Sequence, residues 1–220
     1  MKLVLASGSQ RRRELLTMCG YDYEIIVSNA DETIDENDPE SFVRALSFRK
    51  AKEVFDRLFA AGRRDFAVIG SDTVVAFQKD GETKPVIIGK PKDAEDAVCI
   101  LSMLSGKTHR VFTGVSVIAD IPDENAAAQC SIREKEEIQT ECSITEVTFE
   151  TLSPDEIADY VNSGDPLDKA GSYGIQGPFG MFVREIRGNY FTVIGMPIPV
   201  LYKMLKKIGI LPHGFYERIE

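Results

Sequence analysis

The chain has 220 residues, of which 43% are hydrophobic and 28% charged, with a formal net charge of −9. That length suffices for one large domain or two tightly joined lobes, and the acidic balance argues against bulk binding to nucleic acid or to an anionic membrane surface. No apolar run approaches the ~20 residues of a membrane span, and three arginines near the start are incompatible with a secretory signal peptide.

Cys19, Cys99, Cys130 and Cys142 show no CxxC spacing and read as reduced thiols, which sets the expectation of a cytoplasmic protein. The two histidines, His109 and His213, lie far from any cysteine pair, so a zinc site is not expected.

In chain order, Leu3–Ala6 reads as a short buried strand, followed by a helix from Ser9 to Cys19 that stops at Gly20. Tyr23–Val27 suggests a second strand and leads into the acidic loop SNADETIDENDPE. From Glu40 to Ala61 the apolar spacing is helical, with Phe42, Val43, Leu46, Val54 and Leu58 on one face and Gly62 as terminator. FAVIGSDTVVAF is an apolar strand that Gly70, Ser71, Asp72 and Thr73 are expected to interrupt. KDGETK is a turn, PVIIGKP a returning strand, and Asp93 opens a helix through Leu104.

Thr108–Ala119 and Ser143–Leu152 read as long strands. The polar insertion between them, about 120–142, is expected to protrude as a hairpin or mobile segment. Ser153, Pro154 and Glu156 form a capping-box pattern for a helix to about Asn162. The glycine-rich GDPLDKAGSYGIQGPFG follows. Met181–Ile186 and Tyr190–Ile194 then read as a hairpin, and Pro197–Ile208 as a closing amphipathic helix. Early alternation of strand and helix with later hairpins predicts an α/β fold with a mixed sheet, in a single domain spanning 1–220.

Four features are not explained by this pattern. Arg11, Arg12 and Arg13 occupy the first turn of a helix, where the dipole is positive and each cation is unfavourable by roughly 0.3–1 kcal/mol unless an anion is present. A solvated basic patch is one reading. A phosphate cradle built from that turn, Ser7, Ser9 and the arginine forks, with Gly8 allowing close approach, is the other and fits the position better. Asp72 follows a core strand, where a turn aspartate is the ordinary explanation, yet strand continues after it. Lys50 falls inside an apolar helical stripe, either snorkelling or aimed into a cleft. The glycine-rich loop carries Asp165, Asp168, Lys169 and Gln176 but matches neither a dinucleotide fingerprint nor a Walker A sequence. With Lys90 and Glu32 added, the inventory points to a magnesium-dependent enzyme acting on a phosphorylated small molecule.

The residues also carry a family likeness. LVLASGSQRRRELL resembles the opening signature of the Maf proteins, GSDTVV their central element, GKPKDAEDA their lysine–proline element and DKAGSYGIQG their distal element, in the family's order. The resemblance implies a nucleoside triphosphate pyrophosphatase related in fold to the inosine triphosphatases. It would have two lobes around a deep cleft lined by a long mixed sheet, and water would attack the α-phosphate.

Carried over residue by residue, it implies Asp72 as catalytic base and metal ligand, with Glu32 as the second acidic group at a Mg²⁺ or Mn²⁺ ion. It implies Ser7, Ser9, Arg11, Arg12, Lys50, Lys90 and Lys169 as substrate ligands, and Thr73 and Gln176 where substrates are distinguished. Arg13 falls at a variable position. YGIQG resembles the branch acting on dTTP and UTP rather than the 7-methyl-GTP branch. One carboxamide can meet the donor and acceptors of a uracil or thymine edge, although adenine would accept it too.

Gln10 replaces the family's usual proline, and the insertion is longer than typical, which leaves a homodimer open. The family's historical link to septum formation supplies the alternative of a binding module without turnover; the intact Asp72, Glu32 and Lys90 argue for the enzyme. A stable nucleic-acid complex is not expected, because no aromatic residues interleave with the arginine run.

Overall fold

The structure, a computed structural model, describes residues 1–79, 81–121 and 135–214. A short apolar run makes β1 (Lys2–Leu5), and the Ala6–Ser9 loop carries the chain into α1 (Gln10–Met18). After β2 (Tyr23–Ile25) comes α2 (Pro39–Ala60), with proline in its first turn and the Asp38 carboxylate accepting the Ser41 N–H at 2.9 Å. Strands β3 (Phe66–Phe77) and β4 (Val86–Ile88) precede α3 (Ala94–Leu104), which is capped by Asp93. The long strands β5 (Thr108–Ile121) and β6 (Lys135–Phe149) lead to α4 (Pro154–Asn162), whose capping box forms as the sequence predicts. Three 3₁₀ turns occupy Asp165–Asp168, Ala170–Ser172 and Pro178–Phe182. β7 (Val183–Arg187), α5 (Tyr190–Ile194) and α6 (Ile198–Lys207) complete the fold.

The sheet has seven strands in the order β2-β1-β3-β5-β6-β7, with β4 also paired to β3. β1 runs parallel to β2 and β3, and every other pair is antiparallel. The α/β class with a long mixed sheet flanked by helices is therefore as expected. One edge of β3 decides where a site can form. β1 pairs with Phe66–Ile69 and β4 with Val75–Phe77, so between them the edge from Gly70 to Val74 is left without a partner strand among the described residues. The chain leaves β1 for α1 beside this gap, and a connection that departs there opens a crevice at the sheet edge.

The gap separates two parts of the core. On one side Leu5, Leu16, Ile69, Val117, Leu201 and Leu205 pack under α1 and α6. On the other Val75, Leu101, Phe149, Tyr160, Tyr173 and Phe179 pack between the sheet, α3 and α4. α2 crosses the sheet at two glycines. A Cβ on Gly70 would lie 2.1 Å from the Ser47 carbonyl oxygen, and one on Gly114 would lie 2.2 Å from the Val43 carbonyl oxygen. Only glycine permits so close an approach of helix backbone to strand.

Three sequence expectations are corrected. Gly70–Thr73 does not interrupt β3, which is continuous because Asp72 pairs with Gly114 and the small residues seat α2. Tyr190–Ile194 is a helix, not the second arm of a hairpin. The Asn189 carboxamide oxygen caps it by accepting the Phe191 N–H at 2.8 Å, and Gly195 ends it with φ +108°. Strand β6 begins at Lys135, so residues 135–142 of the polar insertion pair with β5. Residues 122–134 lie outside the described residues, as does Cys130, while Cys19, Cys99 and Cys142 are free thiols. Among the described residues no helix is long and apolar enough to cross a membrane.

Candidate active site

A cleft of about 550 Å³ opens at the unpaired stretch of β3 and straddles the sheet edge. It gathers Ser7, Ser9, Arg11, Arg12, Glu32, Lys50, Asp72, Thr73, Lys90, Lys169 and Gln176. Every site residue singled out from the sequence is brought to this one cavity.

Alternation along β3 sends Asp72 and Thr73 to opposite faces of the sheet. On the α2 side, the Lys50 ammonium lies 2.7 Å from Asp72 Oδ1 and 3.0 Å from Glu32 Oε2. The side chains of Lys50 and Asp72 are each only 12% exposed, whereas Glu32 reaches in from the acidic loop at 64%. The glycine contacts that lower α2 onto β3 at Ser47 and Ala51 bring Lys50 within reach of Asp72. Lys50 is thus a cation in a cleft rather than a snorkelling one.

On the α1 side, Arg12 is fixed at three points. Its Nε donates to the Gly195 carbonyl at 2.8 Å, and its guanidinium also meets Ser7 Oγ at 3.2 Å and Thr73 Oγ1 at 3.3 Å. Ser71 Oγ shares the same Gly195 carbonyl at 2.9 Å. Thr73 Oγ1 lies 3.0 Å from Thr113 Oγ1, and Thr113 donates to the Thr192 carbonyl at 2.7 Å. α5, the element misread from its sequence, is therefore the anchor of the arginine. Burial lowers the Arg12 guanidinium from its ordinary value while the charge of Asp72 opposes that shift. An arginine remains cationic under such a shift. Ser9 occupies the N-cap backbone position without a side-chain capping bond, and its own N–H donates to Ser7 Oγ at 3.2 Å. The first-turn N–H groups of α1 therefore keep their capacity for an anion.

The opposite wall is the loop from Gly164 to Gly177. Lys169 Nζ lies 2.9 Å from Asp165 Oδ1 and 2.8 Å from Asp168 Oδ1. Asp168 also takes Arg11 Nη1 at 3.1 Å, so one carboxylate links the two walls. The Lys169 hydrogen bond and the Arg11 charge hold Asp168 below the usual carboxylate range, outweighing the larger opposing effect of its partial burial. Lys90 and Gln176 are exposed at the rim.

Sequence reasoning did not single out Gly195, Thr113 or Tyr160 for this site. Gly195 has a readable signal, a glycine just past a short capped helix. That signal is hidden by the β-branched, aromatic composition of YFTVI.

The donor set also bears on a divalent cation. Two carboxylates, Asp72 and Glu32, both meet the Lys50 ammonium, while no group of three or more acidic, cysteine or histidine side chains able to hold a metal occurs among the described residues. An all-protein cage is absent from these residues. In type and number the pair matches what Mg²⁺ takes, one or two carboxylates with phosphate oxygens and water completing its shell, and the Lys50 ammonium lies at the point the two share.

Residues 2–208 match the family described as "Maf-like protein". This chain belongs to the Maf family. It is 40% identical over 217 residues to a protein named dTTP/UTP pyrophosphatase from Agathobacter rectalis, covering 95% of this chain and 98% of that one. It is 42% identical over 210 residues to a protein of the same name from Bacillus thuringiensis subsp. konkukian, covering 95% and 96%. Among solved structures, the Staphylococcus aureus Ham1 protein superposes with a TM-score of 0.51 at 15% identity, over 94% of this chain and 99% of that one. That likeness shows a shared fold.

Proposed function

We propose that this Maf protein hydrolyses dTTP and UTP to the nucleoside monophosphate and pyrophosphate at the cleft around Asp72. The carrying observation is the placement of Asp72. It is a carboxylate of low exposure paired with Lys50 at 2.7 Å, at the stretch of β3 that is open among the described residues, between two walls of cations.

In this reading Asp72 accepts a proton from the attacking water. The water oxygen bonds to the α-phosphorus, the α–β bridging bond breaks, and pyrophosphate leaves with the electron pair. Lys50 holds the Asp72 carboxylate in place for that transfer. Arg12, preset by Gly195 and Ser7, lies where the charge of the polyphosphate would develop and needs no reorganisation to meet it. Arg11, Lys90 and Lys169 add cations around the same chain, and Ser7, Ser9 and the N–H groups of the α1 turn bind phosphate oxygens.

Asp72 and Glu32 would hold a Mg²⁺ or Mn²⁺ ion, which when bound supplies charge neutralisation at the phosphate oxygens. Gln176 at the rim offers a carboxamide to the pyrimidine edge, and Thr73, which also lines the cleft, is the second residue read as distinguishing substrates. Lining residues run from Ala6 to Ile194, so we read the chain as one catalytic domain.

The test is pyrophosphate release by the purified protein with Mg²⁺ or Mn²⁺ across dTTP, UTP, CTP, ATP, GTP, ITP and 7-methyl-GTP. Release from dTTP and UTP ahead of the rest supports the proposal. Preference for 7-methyl-GTP overturns the role given to Gln176, and orthophosphate as the initial product overturns attack at the α-phosphorus.

A further inference from the structure

Tyr160, on α4, does not itself line the cleft, yet both functional side chains of the loop wall trace back to its hydroxyl group. That hydroxyl donates to Asp165 Oδ2 at 2.5 Å and accepts the Gly174 N–H at 3.0 Å. A phenol has one proton to give, and here both its donor and its acceptor capacity are used. The other oxygen of the same carboxylate, Asp165 Oδ1, takes Lys169 Nζ at 2.9 Å. Gly174 in turn accepts the Gly177 N–H on its carbonyl at 3.2 Å, closing a turn in which Gln176 is the third residue.

The packing around this point leaves no slack. A Cβ on Gly174 would lie 2.7 Å from Lys169 Cε and 3.1 Å from Asp165 Oδ2. The ring of Tyr160 is held independently, 4.7 Å from the Phe179 ring centroid inside the aromatic cluster. A phenylalanine would therefore fill the same space. What the hydroxyl adds is direction, joining a rigid capped helix to the two arms of a loop that has little regular structure of its own.

We infer that Tyr160 is a positioning residue for the substrate site, aiming Lys169 through Asp165 and Gln176 through the Gly174 N–H. The inference rests on the proposed reading of Lys169 and Gln176 as substrate ligands. Burial, aided by the bond to Asp165, raises the phenol above its ordinary value, so it keeps the proton it donates. A hydroxyl that served only stability would leave substrate affinity and base choice untouched. One that aims two ligands moves both.

The experiment is a cycle of Tyr160→Phe, Lys169→Met and the double variant. KM and kcat for dTTP, the preference for dTTP over CTP and the melting temperature are measured for each. Tyr160→Phe is expected to raise KM about ten-fold, the scale of a lost hydrogen bond to a charged group, with kcat changed less than about three-fold. The preference over CTP should narrow. In the Lys169→Met background the same change should raise KM by a clearly smaller factor, because one of its two arms is gone, while the preference over CTP still narrows through the Gln176 arm.

An unchanged KM and preference in Tyr160→Phe, with Lys169→Met impaired, overturns the inference alone. An equal factor in both backgrounds overturns it too, since aiming Lys169 is half of the inference and the effect then does not pass through that side chain. If Lys169→Met itself leaves KM unchanged, the site reading fails and takes the inference with it. Should Tyr160→Phe prove unfolded, Asp165→Asn supplies the second variant. It leaves α4 intact and is expected to raise KM comparably, and a wild-type KM there is contrary to the inference.

Discussion

The α1 wall and the 164–177 wall bring the same kind of group, a cationic side chain, to the same cleft, and they hold it by different means. Arg11 and Arg12 belong to one helical turn entered directly from β1, so their spacing is set by local backbone geometry. Arg12 is then locked against Gly195, a residue 183 positions away. Lys169 sits between two short 3₁₀ turns, and Asp165, Asp168 and, one bond further out, Tyr160 orient it. One wall is positioned by backbone and finished by a side chain. The other is positioned by side chains throughout. A cation fixed by helix geometry tolerates loss of a neighbour better than one fixed by a chain of hydrogen bonds, so the two walls should respond differently to substitution.

The largest effect is expected from Arg12→Gln, which removes the charge from the wall whose backbone is already set. kcat/KM for dTTP should fall about 10²–10³-fold, the range for loss of one preorganised donor to a developing charge. Circular dichroism should change little, because α1 does not depend on that side chain. A loss below about five-fold would mean that the α1 turn binds through its backbone alone.

A smaller effect sharpens the comparison at the point where the walls touch. Asp168 neutralises Arg11 and Lys169 together and is 66% exposed at its side chain. It occupies cations that a polyphosphate would use. Asp168→Asn should lower KM about two- to five-fold, in keeping with the ~0.2–1 kcal/mol of an exposed ion pair, and steepen the salt dependence of KM. A raised KM would show that the carboxylate splints the walls instead of competing with substrate.

The smallest effect concerns the support behind the loop wall. His109 is buried beneath it, its Nε2 3.0 Å from the Tyr173 hydroxyl, and burial pulls its pKa from 6.5 down to about 3. The folded value lies below that of the unfolded chain, so folding favours the neutral ring. That stabilisation is complete above pH 6.5 and is lost as pH falls toward about 3. Denaturant midpoints measured from pH 7 to pH 4 should fall less steeply for His109→Phe than for the unaltered protein. Parallel slopes would place the acid sensitivity elsewhere.

The same contrast explains what could be read from the sequence. The α1 wall was legible because its signal is local: a helix start with three arginines where cations are disfavoured. Lys50 and Asp72 stood out for the same kind of reason, as charges inside apolar patterns. Apolar spacing announced α2, and the capping residues of α3 and α4 announced those helices. Gly70 misled, because a glycine seating a helix looks in sequence like a strand breaker, and only the approach of Ser47 distinguishes the two. YFTVI misled because its intrinsic strand preference yields to Asn189, Gly195 and the bonds that Thr192 makes to Thr113 and Ser143. The Gly195 anchor of Arg12 and the grip of Tyr160 on Gly174 join residues far apart in the chain, and no spacing rule connects them.

The central claim is that Asp72 performs the chemistry while the two walls bind. Its most direct test is Asp72→Asn, an isosteric change, assayed for pyrophosphate release from dTTP and, in parallel, for binding of a dTTP analogue with a non-hydrolysable α–β bridge. The account predicts turnover reduced by at least about 10²-fold, the lower bound for loss of a general base, with the dissociation constant changed by less than about ten-fold. Turnover retained within a few-fold, or turnover and binding lost in equal measure, would contradict it.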